Sequence, residues 1–122
     1  MIKILLAEDD LFLRDIYEEV LKSESYDVTV AKDGTEALEK FKDGGWDLVL
    51  LDVIMPGMSG VDVLQSLGSS SIHTLAHHIV FMTNIDEIKT LGQLLISTDG
   101  YILKSSVTPD QFVNKVKEIL KI

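Results

Sequence analysis

The 122-residue sequence has no cysteine. That excludes a disulfide framework and a thiolate metal site, and it suits a cytosolic protein. No apolar run approaches the roughly 18–20 residues needed to cross a bilayer. The start, MIKILLAEDD, runs a short apolar stretch straight into three acids. It lacks the basic region, long apolar region and small-residue cleavage site of a signal peptide. Positive charge is scarce: 11 Lys and Arg face 20 Asp and Glu, for a formal net charge of -9. Binding of a nucleic-acid backbone by this domain is therefore not expected. A divalent cation, or a partner with a basic face, is easier to accommodate. Linkers, repeats and coiled-coil heptads are also missing, and the length fits one domain. With 46% hydrophobic residues, a chain of this size can bury roughly two thirds of its unfolded surface.

Apolar clusters alternate with turn signals along the whole chain. Strands are predicted over 2–7, 27–31, 47–51, 78–82 and 100–103. Helices are predicted over 11–22, from Asp33 to the Gly44-Gly45 pair, over about 59–67 and 86–95, and from Thr108 onward. The last has the clearest start, with Thr108 as cap, Pro109 at the first helical position and Gln111 as capping-box partner. The stretch 68–78 is weakly patterned and reads as a loop with a possible extra turn. The aromatic residues read as core. The first and third strands are nearly continuous apolar runs, as expected when helices cover both faces of a sheet. The pattern is a β-α unit repeated five times, which makes a doubly wound parallel α/β sheet with right-handed crossovers.

In such a sheet, ligands bind beyond the carboxyl ends of the strands, at the switch point. The residues at those ends are Glu8, Asp9 and Asp10 after the first strand, Asp52 after the third, Thr83 after the fourth and Lys104 after the fifth. With strand order 2-1-3-4-5, Glu8 and Asp9 lie beside Asp52. Crowded carboxylates raise one another's pKa unless a cation sits among them. Oxygen-only donors at an open rim suit Mg²⁺. Taken singly, each residue has an ordinary structural reading: Asp52 as a turn residue, Asp10 as a helix cap, Thr83 as structural and Lys104 as a surface lysine. Taken jointly, acid pair, acid, hydroxyl and ammonium at one rim fit phosphoryl transfer with Asp52 as a carboxylate nucleophile. His73, His77 and His78 have metal-like spacing only if helical, and no acid or cysteine lies beside them in sequence, which argues against a zinc site.

The motifs ILLAEDD, LVLLDVIMPGMSG, IVFMT and GYILK resemble the receiver domain of two-component response regulators, of the single-receiver chemotaxis type. The resemblance covers about residues 2–121. It implies a flavodoxin-like (βα)5 fold of order 2-1-3-4-5. Asp52 then matches the phosphoacceptor, which takes a phosphoryl group from a phosphohistidine of a sensor histidine kinase or histidine phosphotransfer protein. Glu8, Asp9, Asp52 and the backbone carbonyl of Ile54 match the Mg²⁺ ligands, with Arg14 setting the register and Asp10 left as the extra acid. Thr83 and Lys104 match the hydroxyl and ammonium that hold the phosphoryl group, and Tyr101 matches the aromatic residue whose rotamer follows Thr83. Pro56 and Gly60 would shape the loop that aims the Ile54 carbonyl.

The implied output is a change in the face made by the fourth helix, fifth strand and fifth helix, read by a protein partner. The implied state is a cytoplasmic monomer or weak dimer with no membrane contact and no enzymatic turnover beyond self-phosphorylation and autodephosphorylation. Four positions depart from the family pattern: Ser105 replaces the usual proline, Asn84 a small residue, and Thr98-Asp99 the usual Gly-Ala. Ile54 and Ile85, which tune hydrolysis in this family, are both apolar and imply a slowly hydrolysed phosphoryl group. No output domain follows the last helix within the 122 residues, so the expectation is a stand-alone receiver or a domain of a larger regulator. Rival readings are a degenerate receiver acting as a phosphorylation-independent interaction module, a dehalogenase-type phosphohydrolase and a flavin binder. The second wants an acid where Ile54 stands, and the third lacks a phosphate-binding loop after the first strand.

Overall fold

A computed structural model describes residues 1–92, 95 and 98–122. Five parallel strands, β1 (Lys3–Ala7), β2 (Asp27–Ala31), β3 (Trp46–Asp52), β4 (Ala76–Thr83) and β5 (Tyr101–Leu103), form one sheet in the order β2-β1-β3-β4-β5. The expected architecture and strand order are therefore observed. The helices are α1 (Leu11–Ser23), α2 (Gly34–Phe41), α3 (Gly60–Leu67), α4 (Ser69–Leu75), α5 (Ile88–Leu91) and α6 (Pro109–Leu120).

Alternation along the strands splits the core in two. Leu5, Val49, Leu51, Ile79 and Phe81 face one layer, with Ala37 and Phe41 of α2, Val63 and Leu64 of α3, Ile72 of α4 and Leu91 of α5. Ile4, Leu6, Leu48, Leu50, Val80 and Met82 face the other, against Tyr17 and Leu21 of α1 and Phe112 and Val116 of α6. Tyr17 and Phe112 stack at 4.4 Å between centroids and tie α1 to α6. Two-sided burial explains why the central strands read as unbroken apolar runs.

Local signals set the helix starts. Asp10 accepts from the Leu13 amide at 3.1 Å and caps α1. Asp33 accepts from Glu36 at 2.8 Å and caps α2. Ser59 with Asp62, and Thr108 with Gln111, close reciprocal capping boxes on α3 and α6.

The structure differs from the sequence reading in three places. The 68–78 stretch is not a loop: it holds the seven-residue α4, and β4 begins at Ala76. Its pattern is weak because one apolar side chain, Ile72, reaches full burial there. The expected helix over 86–95 is a single 3₁₀ turn, Ile85–Glu87, followed by the four-residue α5. The part of that expectation resting on Leu94 lies outside the described residues. Asp52 is the last residue of β3 rather than the first beyond it.

Candidate functional site

The parallel register of β1 and β3 pairs Ala7 with Leu51. One residue further along both strands stand Glu8 and Asp52, side by side at the carboxyl edge of the sheet. Neighbouring strand ends add Thr83 from β4 and Lys104 from just beyond β5. Glu8, Asp52 and Thr83 are the buried polar residues of the described core, with relative exposures of 0%, 1% and 0%. Burying carboxylates is costly unless they find partners. Here Lys104 supplies them: its Nζ donates to Glu8 Oε1 at 3.1 Å and to Asp52 Oδ2 at 3.0 Å. Arg14 donates from Nη1 to the Glu8 carbonyl at 3.0 Å and pins the start of the acidic segment.

The loop after β3 is held close to the carboxyl edge of the sheet by backbone contacts. Gly60 donates to the Val53 carbonyl at 2.9 Å. A Cβ on Gly60 would stand 2.3 Å from the Asp52 carbonyl oxygen, and a Cβ on Gly34 would stand 1.9 Å from that of Met58. Both glycines are thus required by close backbone approach. Gly57 turns the loop at φ +80, a left-handed value that favours glycine.

Glu8, Asp52 and Lys104 line a cleft of about 450 Å³ whose rim also includes Asp9, Ile54, Asn84 and Glu87. Carboxylate oxygens of Glu8, Asp9 and Asp52 can all lie within 4.8 Å of one another. Burial, then the hydrogen bond and charge of Glu8, push the Asp52 carboxyl up to about 9, against the opposing pull of Lys104. For Lys104, burial opposes the charge, but Asp52 and Glu8 outweigh it and hold the ammonium above its ordinary value. Glu8, Asp9 and Asp52, when ionised, set three negative charges against the one ammonium of Lys104. Oxygen-only donors with that residual charge fit a hard divalent cation such as Mg²⁺.

The other residues singled out in the sequence fall as follows. Asp10 caps α1. Ile54 and Ile85 are exposed, at 60% and 68%. Tyr101 is 43% exposed and pairs in register with Phe81 on the edge strand. It lines a separate groove with Val107 and Lys115 against α6. The chain after Lys104 makes a 3₁₀ turn, Lys104–Ser106. His77 Nδ1 lies 3.5 Å from Asp47, and His78 Nδ1 lies 3.1 Å from Asp99. Among the described residues the histidines join no three-ligand metal cluster.

Thr83 is the buried last residue of β4, and its hydroxyl is turned to partners of its own segment. Thr83 Oγ1 lies 3.0 Å from the Asn84 carbonyl oxygen and 3.1 Å from Glu87 Oε2. Glu87 was not singled out in the sequence. The signal for it was the spacing of Asn84 and Glu87, a cap residue followed three positions later by glutamate.

A five-stranded parallel sheet of this order, with buried acids and a lysine converging at its carboxyl edge, defines a receiver domain. This chain belongs to the response regulator receiver domain family, whose model matches residues 4–117. Among curated relatives, it is 32% identical to the sensory transduction protein RegX3 of Mycolicibacterium smegmatis, over 99% of this chain and 51% of the relative. It is 35% identical to the DNA-binding response regulator MtrA of Mycobacterium leprae, over 98% of this chain and 51% of the relative. The chain thus spans about half the length of these relatives. Among solved structures, it is similar to the response regulator protein TrrA of Thermotoga maritima in complex with Mg²⁺-BeF, with TM-score 0.81 and 33% identity over 98% of this chain and 99% of that one. It is also similar to the receiver domain of Francisella response regulator 1452, with TM-score 0.82 and 26% identity over 99% and 98% of the two chains. Among the described residues, no helix is long and apolar enough to cross a membrane.

Proposed function

We propose that this chain is a phosphoacceptor switch of a two-component phosphorelay, with Asp52 as the acceptor. The observation that carries this reading is the near-complete burial of Asp52 at a strand end, joined to Lys104 at 3.0 Å within a cleft that also holds Glu8 and Asp9. No fold requirement calls for two buried carboxylates and an ammonium at one sheet edge. In the proposed step an Asp52 carboxylate oxygen attacks phosphorus. A P–O bond forms as the P–N bond to the donor imidazole breaks, and the imidazole keeps the bonding pair. Lys104 offers its ammonium to one transferred oxygen, and Thr83 offers its hydroxyl to another.

Glu8, Asp9, Asp52 and the Ile54 carbonyl would hold Mg²⁺, which supplies charge neutralisation at the phosphoryl oxygens. The Mg²⁺-BeF complex of the Thermotoga maritima relative supports that assignment. The donor is a phosphohistidine on a sensor histidine kinase or histidine phosphotransfer protein. The output is a change along α5, β5 and α6, where Tyr101 is poised half-exposed, and its reader is a protein partner. The site belongs to the cytoplasm, where such kinases present their phosphohistidine.

Incubation with acetyl phosphate and Mg²⁺, followed by intact mass measurement, should show one phosphoryl adduct. The adduct should vanish in Asp52→Ala and in the presence of a chelator. Absence of an adduct in the wild type would instead favour an interaction module that works unphosphorylated. A second expectation concerns its lifetime. Ile54 lines the cleft and Ile85 stands two residues beyond Thr83, and their exposed apolar side chains neither orient nor donate to an attacking water. Ile54→Asn and Ile85→Glu should each shorten the half-life of the adduct, and unchanged decay in both would remove hydrolysis control from these positions.

A further inference from the structure

We infer that Glu87 is a positioning residue that holds the Thr83 hydroxyl away from Asp52 and must release it when a phosphoryl group is seated there. The inference rests on the phosphoacceptor reading of Asp52. Thr83 is fully buried at the end of β4, and its hydroxyl carries one proton to donate. Two acceptors stand within reach, the neutral Asn84 carbonyl and the Glu87 carboxylate. A charged acceptor makes the stronger bond by roughly a factor of two. The same oxygen, Glu87 Oε2, also accepts from the Asn84 amide at 3.2 Å. One carboxylate oxygen therefore binds the strand end to the 3₁₀ turn that leads into α5.

A phosphoryl oxygen on Asp52 would be an anionic acceptor at the same cleft, whose rim Glu87 shares. It and Glu87 compete for a single proton. When the phosphoryl group takes it, Glu87 loses one of its ties to β4, and the turn 85–87 loses a restraint. The hydrogen bond thus sets the threshold for switching and couples the acceptor to the α5 segment, as a two-state element biased by one local bond. Neither the negative charge of Glu87 nor its cap to Asn84 alone would produce that coupling.

A thermodynamic cycle separates these possibilities. The probe is beryllofluoride, a tetrahedral stand-in for the phosphoryl group, titrated calorimetrically at saturating Mg²⁺. Glu87→Ala should bind about tenfold tighter than the wild type, the scale of one charge-assisted hydrogen bond partly replaced. Glu87→Gln, which keeps the cap and a neutral acceptor, should fall between them. In a Thr83→Ala background, Glu87→Ala should change affinity by less than about twofold. An equal gain in that background would show that Glu87 acts only through its charge on the cleft, and would overturn the inference. No gain in either Glu87 variant would overturn it as well. Failure of the wild type to bind, or binding that survives Asp52→Asn, would instead overturn the phosphoacceptor reading beneath it, and would be seen before any Glu87 variant is made.

Discussion

Asp52→Asn should unfold at a higher temperature than the wild type at pH 8 in the presence of a chelator. The reason is the cost of the Asp52 carboxyl in the metal-free fold. Burial and the neighbouring Glu8 raise it from an ordinary 3.8 to about 9. In the unfolded chain the group releases its proton near 3.8, whereas the folded protein holds it until about 9. Unfolding therefore releases a proton across that window, and stability falls as pH rises through it. The wild type is most stable below about pH 4 as far as this group is concerned, and the loss is complete above about pH 9. Lys104 adds no pH dependence inside the window, because its pKa is held above the ordinary 10.5 and its full stabilisation is lost only at higher pH.

At 1.36 kcal/mol for each pKa unit, the span from 3.8 to pH 8 sets an upper bound of about 6 kcal/mol on the cost. Asparagine keeps the shape and an acceptor for Lys104 while removing the charge, so a gain of about 2 kcal/mol, or roughly 5–10 °C in a chain of this length, is expected. Mg²⁺ should reverse the order. It stabilises the wild type by mass action, and the variant lacks one of its proposed ligands. Thermal unfolding by circular dichroism at pH 5, 7 and 9, with chelator or with Mg²⁺, measures all of this. A variant no more stable than the wild type at any of these pH values would show that the Asp52 carboxyl carries no such strain.

The opposite sign is expected for Lys104→Met. Its ammonium bridges two buried carboxylates, Glu8 at 3.1 Å and Asp52 at 3.0 Å. Methionine fills similar volume but leaves the acids facing each other without a cation. Removing one partner of a buried ion pair typically costs about 3–5 kcal/mol. Urea denaturation at pH 7 should show a loss of that size. The loss should shrink with Mg²⁺, which would replace the missing charge. Lys104→Arg should be milder. The double variant Asp52→Asn with Lys104→Met should be more stable than the sum of the two single changes implies, because loss of the ammonium then leaves one buried acid, Glu8, uncompensated instead of two. Phosphorylation by acetyl phosphate should fall by about a hundredfold or more in Lys104→Met, as for loss of one electrostatic stabiliser of a transferring group. A variant with wild-type stability and wild-type phosphorylation would remove Lys104 from the site.

Much of this molecule was legible in the chain itself. Strands covered on both faces must be apolar throughout, so residues 47–51 and 2–7 announced central parallel strands. Caps at Asp10, Asp33 and Thr108 are short-range hydrogen bonds and depend on neighbours three positions away, so they read directly. The family motif around Asp52 survived for the same kind of reason: the tight loop needs Gly57 for its left-handed turn and Gly60 for its approach to the Asp52 carbonyl. Short helices were less legible. α4 has seven residues with one fully buried apolar side chain, and α5 has four residues, so neither carries enough turns for a periodic signal.

What only the tertiary structure decided was partnership across the sheet edge. Lys104 and Glu8 are 96 positions apart, and their contact depends on the order in which five strands pair. The sequence determined that an acid, an acid pair, a hydroxyl and an ammonium would reach one rim. Which of them would be bonded to which was a matter of burial and competition. The ammonium went to the two acids because buried charges must be paired, and the Thr83 hydroxyl went to Glu87 because the next turn brings a carboxylate within 3.1 Å of it.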